Sequence, residues 1–261
     1  PSKLAELRKN RNALRKKIKD YMSTEKVNEI QPKFHGQGSI PMGTAVNPIP
    51  IVPEEGATLL PYDLDDGVYF IADNEDAVRK TVLTYHTWIL NAVEGHTNST
   101  IDKTTCVRVI YNDGHHIDLP IYYLIKDGIP QLAHKSKDFF DSDPREFSKW
   151  FNDLAAKDGQ LRRLVRYLKA WKNYREVNNI NLWLPSGFAL TILAAENFKP
   201  NDRDDVAFRD TVYAIHQKLK GNFECWRPTV PIESIFQDYS NTAETQFMDA
   251  LDRLIKNCDK A

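Results

Sequence analysis

Leu4, Leu7, Leu14, Ile18 and Tyr21 fall on one helical stripe, and Arg and Lys fill the remaining faces. The pattern predicts an amphipathic helix that ends near Ser23–Glu25, before Pro32. From Phe34 to Pro61, glycines and prolines interrupt every period, so no regular element runs through the whole stretch. GVYFI (67–71) reads as a strand. Residues 73–95 open with capping side chains and carry Val78, Val82, Ile89 and Val93 at helical spacing, which predicts a helix. TTCVRVIY (104–111) and HHIDLPIYYL (115–124) are β-branched and aromatic runs separated by Asn112-Asp113-Gly114, strong punctuation for a hairpin. Beyond Pro144 the periods are helical, over 144–156, 159–178, 185–197, 204–220 and 242–258. A mixed half followed by a helical half predicts an α+β chain of two lobes, 1–140 and 141–261, with a ligand cleft between them.

Composition narrows the class. The 261 residues are 41% hydrophobic, enough for a sizeable core, and no apolar run approaches the roughly 20 residues that a membrane-spanning helix needs. The start lacks a signal-peptide pattern. Cys106, Cys225 and Cys258 lie far apart with no C-x-x-C, which points to a reducing cytoplasm rather than a disulfide scaffold or zinc module. The formal charge of −1 hides local asymmetry. Basic residues dominate the first helix, and Lys157, Arg162, Arg163, Arg166, Lys169, Lys172 and Arg175 face a lone acid, Asp158. Such runs serve either as solvated helix faces or, beside a site, as attraction for phosphate.

The candidate chemistry is acidic. In PYDLDDGVYF, residues i and i+2 of a strand share a face, so Asp63 and Asp65 project together while Leu64 turns to the core. Two carboxylates so close repel unless a cation sits between them, and Mg²⁺ is a hard ion suited to carboxylate and phosphate oxygens. Surface charge is the plainer account of D-x-D alone. Asp118, between Ile117 and Leu119, needs a partner at such a position. It either joins the pair to form a three-carboxylate site for two metal ions or makes a buried salt bridge to an Arg or Lys. Asp66 belongs to the other strand face and reads as a turn or salt-bridge residue. His115 and His116 have no matching Cys/His pair for zinc. In GQGSIPMGT (36–44), Gly38 lets the backbone approach a phosphate, and Ser39 adds a hydroxyl. No Gly-Lys-Ser/Thr follows, so this is no Walker loop.

The order Gly38-Ser39, Asp63-x-Asp65 and then Asp118 on a later strand resembles the polymerase-β-type nucleotidyltransferase superfamily. Within it, QGSIPMGT, YDLDDGVYF and HHIDLPIY resemble the bacterial CD-NTases, cGAS/DncV-like relatives of oligoadenylate synthase. SDPREFSKWF (142–151), RRLVRYLKAWK (162–172) and LPSGFALTILAAENF (184–198) extend the likeness across nearly the whole chain. The resemblance implies a polymerase-β-like lobe with a mixed sheet, an oligoadenylate-synthase-like helical lobe and a central active-site cleft. It implies that Asp63, Asp65 and Asp118 are the catalytic ligands of two Mg²⁺ ions, with Mn²⁺ as a substitute. Gln37, Gly38 and Ser39 would then seat the donor triphosphate, and Lys169 and Ser186 would reach it from the helical lobe. On residues alone, Lys169 is equally a solvated helix charge and Ser186 an ordinary helix cap.

The implied activity is template-independent synthesis of a cyclic dinucleotide from GTP and/or ATP, in cytoplasmic antiphage signalling through a separately encoded effector. No membrane and no stable nucleic-acid partner is expected. The cluster NDRDDVAFRD (201–210) offers donors and acceptors for guanine, which suits a purine product such as cyclic di-GMP or cyclic GMP-AMP. A solvated loop explains it equally. Two other readings stand beside the synthase: a nucleotidyltransferase that modifies tRNA or protein, and a non-catalytic nucleic-acid-binding module.

Overall fold

The computed structural model describes residues 3–47, 50–51, 58–59, 62–156, 159–179 and 181–260. In chain order the elements are α1 (Lys3–Glu25), β1 (Lys33–Gln37), β2 (Pro50–Ile51), β3 (Thr58–Leu59), β4 (Asp63–Ala72), α2 (Val82–Val93), β5 (Ser99–Asp102), β6 (Cys106–Ile110) and β7 (His116–Ile125). There follow β8 (Gln131–His134), β9 (Asp138–Asp141), α3 (Pro144–Leu154), α4 (Gln160–Asn178), α5 (Gly187–Glu196), α6 (Asp204–Gly221) and α7 (Asn241–Cys258). They divide into two units. One comprises Pro1–Pro41 and Leu60–Arg145, the other Met42–Leu59 and Glu146–Ala261, so residues 42–59 group with the helices that follow much later.

The first unit is a mixed sheet in the order β1-β4-β7-β6-β5, with β8 also on β7 and β9 on β8. Only the β4–β7 pair is parallel; β1–β4, β5–β6, β6–β7, β7–β8 and β8–β9 are antiparallel. One face of the sheet takes α1 and α2. Leu7, Leu14, Ile18 and Met22 of α1 pack with Tyr85 and Ile89 of α2 over Leu64, Val68, Phe70, Ile117, Leu119 and Ile121. The other face carries a small cluster of Tyr69, Tyr122 and Leu124, whose two tyrosine rings stack at 4.6 Å. Alternation in β4 therefore separates a helix-covered face from a face left for chemistry.

The expected helix at 73–95 begins only at Val82. The hydroxyl of Thr81 accepts from Thr84 N at 3.2 Å and caps it, whereas Asn74 accepts from Asp76 N at 3.1 Å in a local turn. The polar residues at 73–76 thus build a turn before the helix, and Val78 is left 79% exposed. The short strands β5, β8 and β9 have no apolar alternation long enough to announce them.

The second unit has its own core, in which Phe147 and Phe151 of α3, Leu161, Val165 and Leu168 of α4, and Leu190 and Leu193 of α5 meet Phe247 and Leu251 of α7. Helices such as α3 and α7 present an apolar stripe that must be covered, and α5, buried from Ala189 through Ala194, lies among them. Among the described residues, no helix is long and apolar enough to cross a membrane.

Candidate active site

Asp63 and Asp65 lie at the first end of β4, with Leu64 only 2% exposed on the opposite face. In the parallel β4–β7 register, Asp65 is the partner of Asp118 and Asp63 the partner of His116. Neighbouring strands run about 4.8 Å apart, so Asp65 and Asp118 are within reach of a common centre. The electrostatics report the crowding. Burial, then the charges of Asp63 and Asp118, push the Asp65 carboxyl up to about 7, and Arg108 opposes the shift. Asp65 is half-buried.

Asp118 also has the salt bridge that was its alternative reading. Arg108, its register partner in the antiparallel β6–β7 hairpin, donates from Nε to Oδ1 and from Nη2 to Oδ2, both at 2.7 Å. The salt-bridge reading of Asp118 therefore holds, at a carboxylate that is also the register partner of Asp65. Sequence reasoning passed over Arg108, although a hairpin centred on Asp113 puts residue 108 opposite residue 118. Its signal was arithmetical.

The donor set consists of hard carboxylate oxygens, and the repulsion that adds to burial in raising Asp65 is what a divalent cation would relieve, so these residues fit Mg²⁺. Among the described residues, no group of three His, Cys, Asp or Glu side chains is disposed as a ready metal cage. Both oxygens of Asp118 are turned onto Arg108.

Asp66 points the other way and is 0% exposed, and Arg15 of α1 holds it with contacts of 2.7 and 2.5 Å. It is a salt-bridge residue, as its strand face predicted. His115 is buried, bonded to Asn10 and Asp113 and stacked on Tyr111. His116 faces the acids, and burial followed by Arg108 lowers its pKa.

Gly38 adopts a φ of +74°, and a Cβ built there would collide with the carboxylate of Asp65. Glycine is required twice over, by conformation and by the closeness of the turn to the acid. Residues 38–43 form turns and not a helix start, with Ser39 half-buried among them. Gln37 departs from expectation. Its side chain is buried, donating to the Tyr122 hydroxyl at 3.2 Å and accepting from the Tyr69 hydroxyl at 3.3 Å. The amide locks the tyrosine pair behind the acids, so the structure does not bring it forward as a phosphate ligand.

In the second unit, α4 grips the chain after Pro41 residue by residue. Arg162 Nε donates to Met42 O at 3.1 Å, Arg166 Nη1 to Gly43 O at 3.2 Å, and Lys169 Nζ to Thr44 Oγ1 at 3.1 Å. The spacing 162, 166, 169 follows one helical face. The stem of Lys169 lies over Gly187, where an added Cβ would stand 3.2 Å from Lys169 Cε. Ser186 caps α5, its Oγ accepting from Ala189 N at 3.2 Å. Lys169, Thr44 and the start of α5 therefore gather in one place. The cap and a phosphate site use the same helix end.

The basic run is neither a bare solvated face nor an open phosphate surface. Besides those contacts, Arg163 pairs with Asp204 at 2.6 Å and Lys172 with Glu176 at 2.5 Å; Lys157 and Asp158 lie outside the described residues. The 201–210 cluster is likewise structural. Arg163, Gln160 and Tyr167 all bond Asp204 at the start of α6, and Arg163 above all holds its carboxyl well below the usual range. Arg203 pairs with Asp205 and Arg209 with Asp210. Arg203, Asp204, Asp205, Arg209 and Asp210 thus all have protein partners, which favours a structural role for this segment over recognition of guanine.

Residues 32–122, which hold all three acids and the Gly38 turn, match the family model described as cyclic GMP-AMP synthase DncV-like, nucleotidyltransferase domain. A cyclic GMP-AMP synthase of Escherichia albertii is 28% identical over 88% of this chain and 52% of its own length. A c-di-GMP synthase of Roseivirga ehrenbergii is 25% identical over 78% of this chain and 58% of its own length. The chain thus spans a little over half the length of these curated relatives. The CD-NTase CdnG of Bradyrhizobium diazoefficiens, solved in complex with GTP, superposes with a TM-score of 0.72 over 98% of this chain and 86% of its own, at 13% identity. The chain shares the fold of this solved CD-NTase, an α+β architecture. Within it, the matched segment is similar to the DncV-like domain, as the motifs of the sequence implied.

Proposed function

We propose that the chain is the catalytic portion of a template-independent, Mg²⁺-dependent nucleotidyltransferase that makes a cyclic dinucleotide from GTP and/or ATP. The observation that carries this reading is the convergence of Asp63, Asp65 and Asp118 on one sheet face, with the Gly38 turn against Asp65. A ribose hydroxyl of the acceptor attacks the α-phosphorus of a bound NTP, the bond to the leaving phosphate oxygen breaks, and pyrophosphate departs. Asp63, Asp65 and Asp118 would hold two Mg²⁺ ions, with Mn²⁺ able to replace them. When bound, the metal supplies Lewis-acid stabilisation of the attacking and leaving oxygens.

The chain's own residues do the rest. The small Gly38-Ser39 turn lets backbone N–H groups and a hydroxyl approach the donor triphosphate. Lys169 offsets negative charge as pyrophosphate leaves, and the start of α5 at Ser186 favours an anion. The Gln37 side chain is assigned instead to bracing Tyr69 and Tyr122 behind the acids. A second transfer on the linear intermediate closes the ring, and a purine product agrees with the names of the relatives. The setting proposed is cytoplasmic antiphage signalling, with the product activating a separate effector.

The test is incubation with each labelled NTP and all four together in Mg²⁺, with phosphatase treatment and mass spectrometry of the product. A phosphatase-resistant dinucleotide, absent from Asp65→Asn, is the expected result. Label on added tRNA or protein would move the assignment to a modifying transferase.

A further inference from the structure

Arg108 belongs to no role given to the site so far, yet it holds its third acid. It sits on β6 opposite Asp118 and takes both carboxylate oxygens, each at 2.7 Å. A bidentate guanidinium fork on a carboxylate is among the stronger pairings a protein makes, and it occupies the oxygens that a metal would need. Without metal, that pairing offsets one of three converging negative charges. With metal, Asp118 must give up at least one oxygen.

We propose that Arg108 is a built-in counterion that competes with the divalent metal for Asp118, so that metal loading requires the Arg108–Asp118 fork to open. The inference rests on the metal reading of the site. Arg108 is a positioning residue here: it acts through Asp118, ties β6 to β7 when no cation is present, and sets how much metal the site requires. Its guanidinium is partly exposed, 24% against 13% for Asp118, so solvent can receive it when the fork opens.

The experiment is Mn²⁺ titration of the full chain, followed by electron paramagnetic resonance of the free ion, on wild type, Arg108→Met and Arg108→Lys. Melting in EDTA is recorded for each protein to show that it is folded. Met removes both charge and fork. Lys keeps the charge but not the fork. The expectation is roughly tenfold to hundredfold tighter Mn²⁺ binding for Arg108→Met, the scale of one lost charge-assisted pair, and an intermediate gain for Arg108→Lys. In EDTA both variants melt lower than wild type, and saturating Mn²⁺ raises their melting temperature more than it raises the wild type's. Unchanged or weaker binding in Arg108→Met overturns the competition while leaving the metal reading intact. Tightening in Met with none in Lys also overturns it, because net charge alone would then be the cause. If no protein binds Mn²⁺ at millimolar concentration, the metal reading itself fails and takes the inference with it.

Discussion

Asp65 and Asp118 stand opposite one another across the parallel β4–β7 pair, one carboxyl raised by burial and then by its acidic neighbours, the other clasped by Arg108. Each is needed in a different way, and both lie where the proposed reaction occurs. Asp65→Asn or Asp118→Asn should lower nucleotide transfer by at least about 100- to 1,000-fold, the scale of losing one charge-stabilising group in an active site. Chromatography of the dinucleotide product measures it. Asp65→Asn should not lower the melting temperature in EDTA, since it removes a repulsion. A large fall would contradict the geometry.

The raised Asp65 carboxyl makes metal-free stability depend on pH. Its folded value of about 7 exceeds that of an unfolded aspartate, so between about 4 and 7 the folded chain binds more protons than the unfolded chain. The contribution of this group to stability therefore falls as pH rises through that window. Thermal melting in EDTA from pH 4 to pH 8 should show a downward component that Asp65→Asn removes. A difference between the two proteins that does not change with pH would refute the assignment.

Gly38→Ala should combine backbone strain with collision. Gly95 provides the comparison, since it has a φ of +65° and open space around its missing Cβ. Both substitutions should cost about 1–3 kcal/mol from the left-handed conformation. Only Gly38→Ala should also lower kcat, because its methyl group displaces Asp65. Equal kinetics in the two variants would argue against a close turn.

Lys169→Met should raise the KM for NTP about tenfold, the scale of one charge-assisted contact, with little change in melting temperature. Arg162→Met, which loses its bonds to Met42 O and Ala155 O and to the Asn152 side chain, should instead lower the melting temperature. Steady-state kinetics and calorimetry on the two variants separate binding from bracing.

Arg15→Met leaves Asp66 buried without its partner and should cost about 3–5 kcal/mol in urea unfolding. Adding Asp66→Leu should restore much of that loss, because an apolar pair of similar volume suits the interior. A double variant no more stable than the single one would show that the ion pair has further structural work at the start of β4.

Much of the fold was legible locally. The Leu7–Leu14–Ile18 stripe became α1, the Asn112–Gly114 punctuation became the β6–β7 hairpin, and the alternation in DLDDGVYF separated Asp63 and Asp65 from Leu64 and Asp66. Helices 160–178, 187–196, 204–221 and 241–258 appear close to their expected bounds. The failures are equally specific. Asn74 and Thr81 are both good caps, and only Thr81 meets the first turn of a packed helix. Gln37 shares a sheet position with Asp65, yet two distant tyrosines claim its amide.

A period of 3.6 or 2 along the chain determines which side chains share a face, because backbone geometry sets it within a few residues. The amino-acid sequence by itself thus supplied the amphipathic helices, the hairpin and the paired acids of β4. Which strands lie side by side depends on apolar surface buried between segments far apart in the chain, and no local pattern encodes that choice. Only the tertiary structure put Asp118 beside Asp65, laid Met42–Thr44 along α4 and brought Arg163 onto Asp204.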